Sequence, residues 1–195
     1  MKEKLILVIG GSRSGKSEFA EKYILHSAVK CAYIATAEVL DNEMENRVKM
    51  HQARRSNSRW ITFEAPYDAE KAILEAGEKA DAILFDCLTV YISNMLYCAN
   101  APEKFDEKAV YVRNKIDDLI KAAREINKPV VFVSNDVGSG IVPDNAMARE
   151  YRDIAGWVNQ QIGNASDNVF YVIAGQAVDI KKLAFNFETV GEANE

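Results

Sequence analysis

Residues 4–10, KLILVIG, run apolar without alternation and stop at a pair of glycines. A strand with one wet face alternates apolar and polar residues. A run without alternation has to be covered on both faces, as the strands of parallel sheets are. The same kind of segment recurs at 31–36 (CAYIAT), 82–86 (AILFD), 129–134 (PVVFVS) and 169–174 (VFYVIA). Between these runs, apolar spacing predicts helices over 16–26, 41–55, 68–76, 106–126 and 145–162. Parallel neighbours need crossovers that pack on the sheet, so the expected fold class is α/β, a mostly parallel sheet with helices on both faces. The polar stretch near 98–104 reads as a loop. Neither a repeat nor a Pro/Gly/Ser-rich linker divides the 195 residues. A single domain over 1–195 is therefore expected, its tail after about 184 loosely held.

Composition narrows the class of partner. With 48% hydrophobic residues the chain is too apolar for disorder, and no apolar run approaches the ~18 residues of a membrane span. The N-terminal run is too short for a signal-peptide core. The 3 cysteines, Cys31, Cys87 and Cys98, have neither metal-ligand spacing nor the even number of a disulfide framework. A cytoplasmic location is the expectation. A net charge of −5 argues against a nucleic-acid partner. One segment stands apart: residues 46–63 hold Arg47, Lys49, Arg54, Arg55 and Arg59 and no acid. The spacing fits a local anion site or a solvated helix face.

Gly10-Gly11-Ser12-Arg13-Ser14-Gly15-Lys16-Ser17 follows the first strand and satisfies G-x-x-x-x-G-K-[ST]. The glycines let main-chain N–H groups approach phosphate oxygens, and the helix opening near Lys16 adds its positive end. Lys16 supplies a charge for the β- and γ-phosphates, and the Ser17 hydroxyl is a ligand for Mg²⁺. Such a loop needs an acidic partner for the metal at the end of another strand. Asp86, closing AILFD, is the candidate; its alternative role is to cap the next helix. This is the phosphate loop of a P-loop nucleoside-triphosphate-binding fold. Alone it does not separate a kinase from an ATPase or GTPase.

The 2 histidines read differently. His26 shares a stripe with Phe19 and Tyr23 and reads as structural. On the helix expected from Asp41, His51 follows Met44 by seven residues, Arg47 by four and Val48 by three. Arg54 and Arg55 come one turn later. Guanidinium groups around an imidazole lower its pKa, keep it nucleophilic near neutrality and stabilise a phosphoryl group beside it. On spacing alone, a nucleophile and a surface histidine both remain open.

Several longer blocks recur in one order: GGSRSGKS at 10–17, YIATA at 33–37, DNEMENRVKMHQARR at 41–55, FDCLTVYISN at 85–94, VSNDVGSGIVP at 133–143 and AREYRDIAGWVNQ at 148–160. Together they resemble the bifunctional adenosylcobinamide kinase / adenosylcobinamide-phosphate guanylyltransferase family of cobalamin assembly, from about residue 5 to 183. The D-x-E-M…R…H block and SN-D/E-VG-x-GIVP are more specific than the phosphate loop. The resemblance implies two reactions. ATP or GTP phosphorylates the hydroxyl of the aminopropanol arm of adenosylcobinamide. GTP then donates GMP to that phosphate through a histidine, a position that His51 occupies, giving adenosylcobinamide-GDP and pyrophosphate. The family's nucleotide contacts fall on Gly10, Gly11, Ser12, Arg13, Ser14, Gly15, Lys16, Ser17, Ile34, Ala35, Thr36, Gln52, Ala53, Arg54, Arg55, Glu64 and Asp86. Lys16 and His51 are the implied catalytic residues, and Ser17 and Asp86 the implied Mg²⁺ ligands. A homo-oligomer, described as a trimer, is implied as well. The chain departs from the family pattern at 56–59 (SNSR), at Asp136 in place of Glu and in the polar stretch at 175–178.

The ends of parallel strands are where ligands bind, so Asn135, Asp136, Gly138 and Gly140, which follow the fourth apolar run, are expected to border the site or to form a structural turn. Two competing readings stand beside the bifunctional transferase. One is a simple P-loop small-molecule kinase, with His51 as a substrate contact. The other is a nucleotide-dependent switch or ATPase subunit, in which the VSNDVGSGIVP block and the histidine-bearing helix have no evident purpose.

Overall fold

The computed structural model describes residues 4–38 and 59–185. The helix expected over 41–55, with His51, Gln52, Ala53, Arg54 and Arg55, lies outside the described residues, as does the tail beyond 185. In chain order the elements are β1 (Leu5–Gly10), α1 (Lys16–Ser27), β2 (Cys31–Ala35), β3 (Trp60–Glu64), α2 (Ala69–Lys79), β4 (Ala82–Asp86), α3 (Leu88–Tyr97), α4 (Phe105–Glu125), β5 (Val130–Asn135), α5 (Ala146–Ala165), β6 (Asn168–Ile173) and β7 (Gln176–Asp179). The strands form one sheet in the order β3-β2-β4-β5-β1-β6-β7. The pairings from β3 through β6 are parallel, and β7 returns antiparallel to β6.

Apolar runs without alternation do bury both faces. Leu5, Leu7, Ile83, Phe85, Val130 and Phe132 pack on one side, against Ile73 of α2, Tyr91 of α3, Ile116 of α4 and Ile154 of α5. Ile6, Val8, Leu84, Val131 and Val133 pack on the other, against Ala20 and Ile24 of α1. Each fully buried aliphatic side chain contributes about 1.5–3 kcal/mol relative to exposure. The double layer therefore holds the sheet edge rigidly.

Three described elements have no counterpart in the expectation, for physical reasons. β3 is an edge strand with Ile61, Thr62 and Glu64 exposed, so it lacks an apolar run. α3, LTVYISNMLY, buries Leu88, Tyr91, Ile92, Met95 and Leu96 at helical spacing, but Val90 and Tyr97 add apolar residues off that stripe and the 10 residues follow β4 almost directly, which blurs the pattern. β7 joins β6 through Ala174 (φ 49°) and Gly175 (φ 77°), a two-residue turn with both φ positive, and its polar strand pairs on one side only.

Arg59 belongs to this scaffold. Its guanidinium donates to the carbonyls of Val29 (3.2 Å) and Leu25 (3.0 Å) and also to that of Ala28, at the C-terminal end of α1. It serves the last, otherwise unpaired carbonyls of the helix and complements the negative end of its dipole. At 12 residues α1 is about 18 Å long, so Arg59 sits a full helix length from the phosphate loop. The basic segment is thus split: Arg59 is a helix cap, not part of an anion site. Arg59→Ala is expected to lower unfolding free energy by about 1–2 kcal/mol in denaturant titrations while leaving the nucleotide KM unchanged.

Candidate active site

Strand register sets the predicted residues along one edge of the sheet. Glu64, Ala35 and Asp86 lie abreast at the C-terminal ends of β3, β2 and β4. Asp86 is level with Val133, which is level with Val8, and Gly10 is level with Asn135. β4 and β1 are separated by β5 alone. Asp86 therefore stands roughly 10 Å across the edge from the strand that feeds the phosphate loop. Glu64 is four strands from β1, roughly 19 Å away. A single phosphate group cannot touch both ends.

The loop from Gly10 to Ser17 is built so that main chain is accessible. Gly15 has φ 95°, which a side chain rarely adopts, and Arg13 also has positive φ, at 57°. A Cβ on Gly10 would run into the Val172 carbonyl oxygen and, at 2.7 Å, into the Ser14 hydroxyl. From below, the β6–β7 turn supports the loop: Gly175 N–H donates to the Ser14 carbonyl at 2.9 Å. A Cβ on Gly15 would lie 3.2 Å from the Gly175 Cα. Sequence reading missed this brace, because the signal was one glycine in a segment whose polarity looked like a departure. The Ser14 hydroxyl is buried and has no hydrogen-bond partner among the described residues.

Lys16 is 8% exposed and folds back so that its Nζ donates to the Gly11 carbonyl at 3.0 Å. Burial pushes its pKa down, while the nearby Cys87 thiol and Asp86 carboxylate act the other way. Asp86 is held in turn by the Tyr33 hydroxyl, which donates to Oδ2 at 3.3 Å. Burial first, and the Asp86 charge second, push the Cys87 thiol up to about 11, so it stays protonated at neutral pH. The thiol sits 3.0 Å from the Thr89 hydroxyl, which also accepts from Asn135 Nδ2 at 2.8 Å. These polar contacts tie the ends of β4 and β5 and the start of α3 into one rigid rim.

The remaining expected contacts divide by chemistry. Ile34 is fully buried in the core, so its side chain is not available to a ligand. The Thr36 hydroxyl donates to the Cys87 carbonyl (2.9 Å) and accepts from the Cys87 N–H (2.8 Å). Its carbonyl accepts from Asn94 Nδ2 (2.8 Å). Thr36 is thus a strut between β2 and β4. Glu64 is exposed at the end of β3.

The 135–143 loop starts beside the phosphate loop, with Asp136 N–H donating to the Gly10 carbonyl at 3.0 Å. Asp136 Oδ2 accepts from Ser139 (2.6 Å) and Tyr171 (3.1 Å). Among the described residues, no helix is long and apolar enough to cross a membrane.

The sequence model of one family, described as cobinamide kinase / cobinamide phosphate guanyltransferase, matches residues 6–180. The bifunctional adenosylcobalamin biosynthesis protein CobU of Salmonella typhimurium is 41% identical over 182 residues, 91% of this chain and 99% of that protein. The Pseudomonas aeruginosa protein CobP, of the same description, is 34% identical over 175 residues, 90% of this chain and 96% of that one. In fold, a KaiC-like protein of Pyrococcus horikoshii superimposes with a TM-score of 0.51 at 11% identity, covering 86% of this chain and 70% of its own. An ATPase of a bacterial type III secretion system gives 0.55 at 14% identity, covering 97% and 61%. These two likenesses concern the fold, which is that of the P-loop nucleotide-binding proteins.

Proposed function

Because the chain belongs to the cobinamide kinase / cobinamide phosphate guanyltransferase family, we propose that it transfers a phosphoryl group and then a guanylyl group to one acceptor. The acceptor hydroxyl of adenosylcobinamide attacks the γ-phosphorus of ATP or GTP. The bond to the bridging β–γ oxygen breaks, the nucleoside diphosphate leaves, and the hydroxyl proton is released. Such a transfer needs charge neutralisation and alignment more than acid–base chemistry. The amides of Gly10 to Ser17 and the Lys16 ammonium supply the first, and the braced loop supplies the second.

For the second transfer the His51 imidazole displaces pyrophosphate from the α-phosphorus of GTP. An oxygen of adenosylcobinamide phosphate then displaces the imidazole, giving adenosylcobinamide-GDP. Two displacements replace one difficult one. His51 belongs to the segment that leaves the site edge directly after Thr36, and Gln52, Ala53, Arg54 and Arg55 accompany it as nucleotide contacts. Glu64, at the far end of the same edge, suits the nucleoside end of an extended nucleotide whose phosphates lie on the loop.

Ser17, in the first turn of α1, and Asp86, at the end of β4, carry hard oxygen donors of the kind that Mg²⁺ takes. Ser17 and Asp86 would hold the ion, and its charge would supply neutralisation of the phosphates. Asp86→Asn is expected to cut Mg²⁺-dependent turnover by about tenfold or more, while nucleotide binding measured without metal stays within about twofold. Unchanged turnover and an unchanged Mg²⁺ titration would leave Asp86 a structural acceptor for the Tyr33 hydroxyl; the N-cap of α3 is Cys87, so Asp86 is not the capping residue of its alternative role.

The observation that carries this reading is the register that brings Asp86 abreast of the strand leading into Gly10–Ser17 in a chain matched to the family over 6–180. A single cytoplasmic domain that self-associates, as a trimer, completes it; sedimentation of the pure protein tests the assembly. The activity is tested by incubation with adenosylcobinamide, ATP, GTP and Mg²⁺ and separation of products by mass. Adenosylcobinamide-GDP is the expected product. The phosphate ester alone would leave a simple kinase, and nucleotide hydrolysis alone would leave an ATPase.

A further inference from the structure

Resting on the acceptor proposed above, we propose that the loop over 138–142 is the seat of the corrin ring. Three observations converge on it. First, the loop is fixed at both ends. Asp136 N–H is bonded to Gly10 and its carboxylate to Ser139 and Tyr171, and the Arg152 guanidinium holds the Gly138 carbonyl. Beyond the loop, Arg149 donates to the carbonyls of Pro143 (2.9 Å) and Asp144 (2.6 Å), and Asn145 caps α5 through the Ala148 N–H (2.7 Å). Such anchoring does not let exposed apolar side chains tuck away.

Second, what the fixed loop presents is apolar. Ile141 is 96% exposed and Val142 63% exposed. Two adjacent β-branched side chains held in water, on a loop that begins beside Gly10, are a mark of a surface that something covers. Third, its glycines have no reason inside the fold. Gly138 and Gly140 lie outside the left-handed region, since the positive-φ glycines among the described residues are Gly15 and Gly175. Among the described residues, a Cβ on Gly140 would meet nothing within 4 Å, and one on Gly138 would meet the Asp136 Oδ1 at 3.8 Å, an ordinary contact. Gly11 of the phosphate loop has the same open space, and there the reason is close approach of a ligand to the main chain.

The acceptor matches this surface. A corrin ring carries methyl groups and carboxamide arms at its rim. Methyl groups suit Ile141 and Val142, and carboxamides suit main-chain groups bared by Gly138 and Gly140. Position agrees too. Ile141 is five residues past Asp136, at most about 17 Å of chain, so a ring seated there has its aminopropanol arm within reach of the phosphate loop.

The test compares Gly140→Val and the double variant Ile141→Ser/Val142→Ser with wild type, in steady-state kinetics and in sedimentation. The KM for adenosylcobinamide is expected to rise at least about tenfold in each. Affinity for a non-hydrolysable GTP analogue and the sedimentation coefficient are expected to stay as in wild type. An unchanged corrinoid KM in both variants overturns the proposal. So does a changed sedimentation coefficient, which would assign the loop to a second copy of the chain, or a parallel loss of nucleotide affinity, which would make it structural. If wild type itself turns over no adenosylcobinamide, it is the underlying activity that fails, an outcome separate from all of these.

Discussion

A Lys16→Ala protein is expected to fold normally and to phosphorylate adenosylcobinamide at least about a hundredfold more slowly than wild type. Losing a charge aimed at a transition state typically costs about 3–4 kcal/mol, which converts to a factor of that size or more. Folding should survive because Lys16 is buried at a cost. Burial pushes its pKa down, and its hydrogen bond to the Gly11 carbonyl stays within the loop. Alanine relieves that desolvation without opening the core behind α1. The loss should appear mainly in kcat, since loop amides and the helix end still bind the phosphates. Near-normal turnover in a folded Lys16→Ala protein would remove the phosphate loop from the mechanism.

His51→Ala is expected to separate the two reactions. Supplied with adenosylcobinamide phosphate and GTP, the variant should form adenosylcobinamide-GDP slower by several orders of magnitude, as enzymes do on losing a nucleophile. Supplied with adenosylcobinamide and ATP, it should still make the phosphate ester, because Gly10–Ser17 and Asp86 are untouched. Comparable loss of both reactions would point to a structural role instead. A variant that still makes the GDP product at the wild-type rate would require another route for GMP.

Much of the scaffold was legible because a doubly covered parallel sheet leaves a plain trace. LILVI at 5–9 and VVFV at 130–133 have no wet face to interrupt them, and strands were expected within a residue or so of β1, β2, β4, β5 and β6. WITFE was silent because an edge strand has no such run, and LTVYISNMLY because a short helix with apolar residues off its buried stripe, directly after a strand, blurs the helical period. At the site, the phosphate loop was legible from spacing, since each of its residues answers a local need. The brace from Gly175, the Tyr33 hydroxyl on Asp86 and the double hydrogen bond between Thr36 and Cys87 were not. All three join residues tens of positions apart, and only the register of the sheet brings them together. Arg59 shows the opposite hazard. Its place in a basic cluster suggested an anion site, whereas its partners are the last carbonyls of α1.

The covalent passage of GMP through the protein is the claim most open to direct measurement. Wild-type protein is incubated with Mg²⁺ and GTP labelled at either the α- or the γ-phosphate, before any corrinoid is added, and label retained on the denatured chain is counted. The account predicts retention of the α-label and none of the γ-label, through a bond lost in mild acid, stable in base and absent from His51→Ala. Protein that forms adenosylcobinamide-GDP yet never retains the α-label, or retains it equally in His51→Ala, would contradict it.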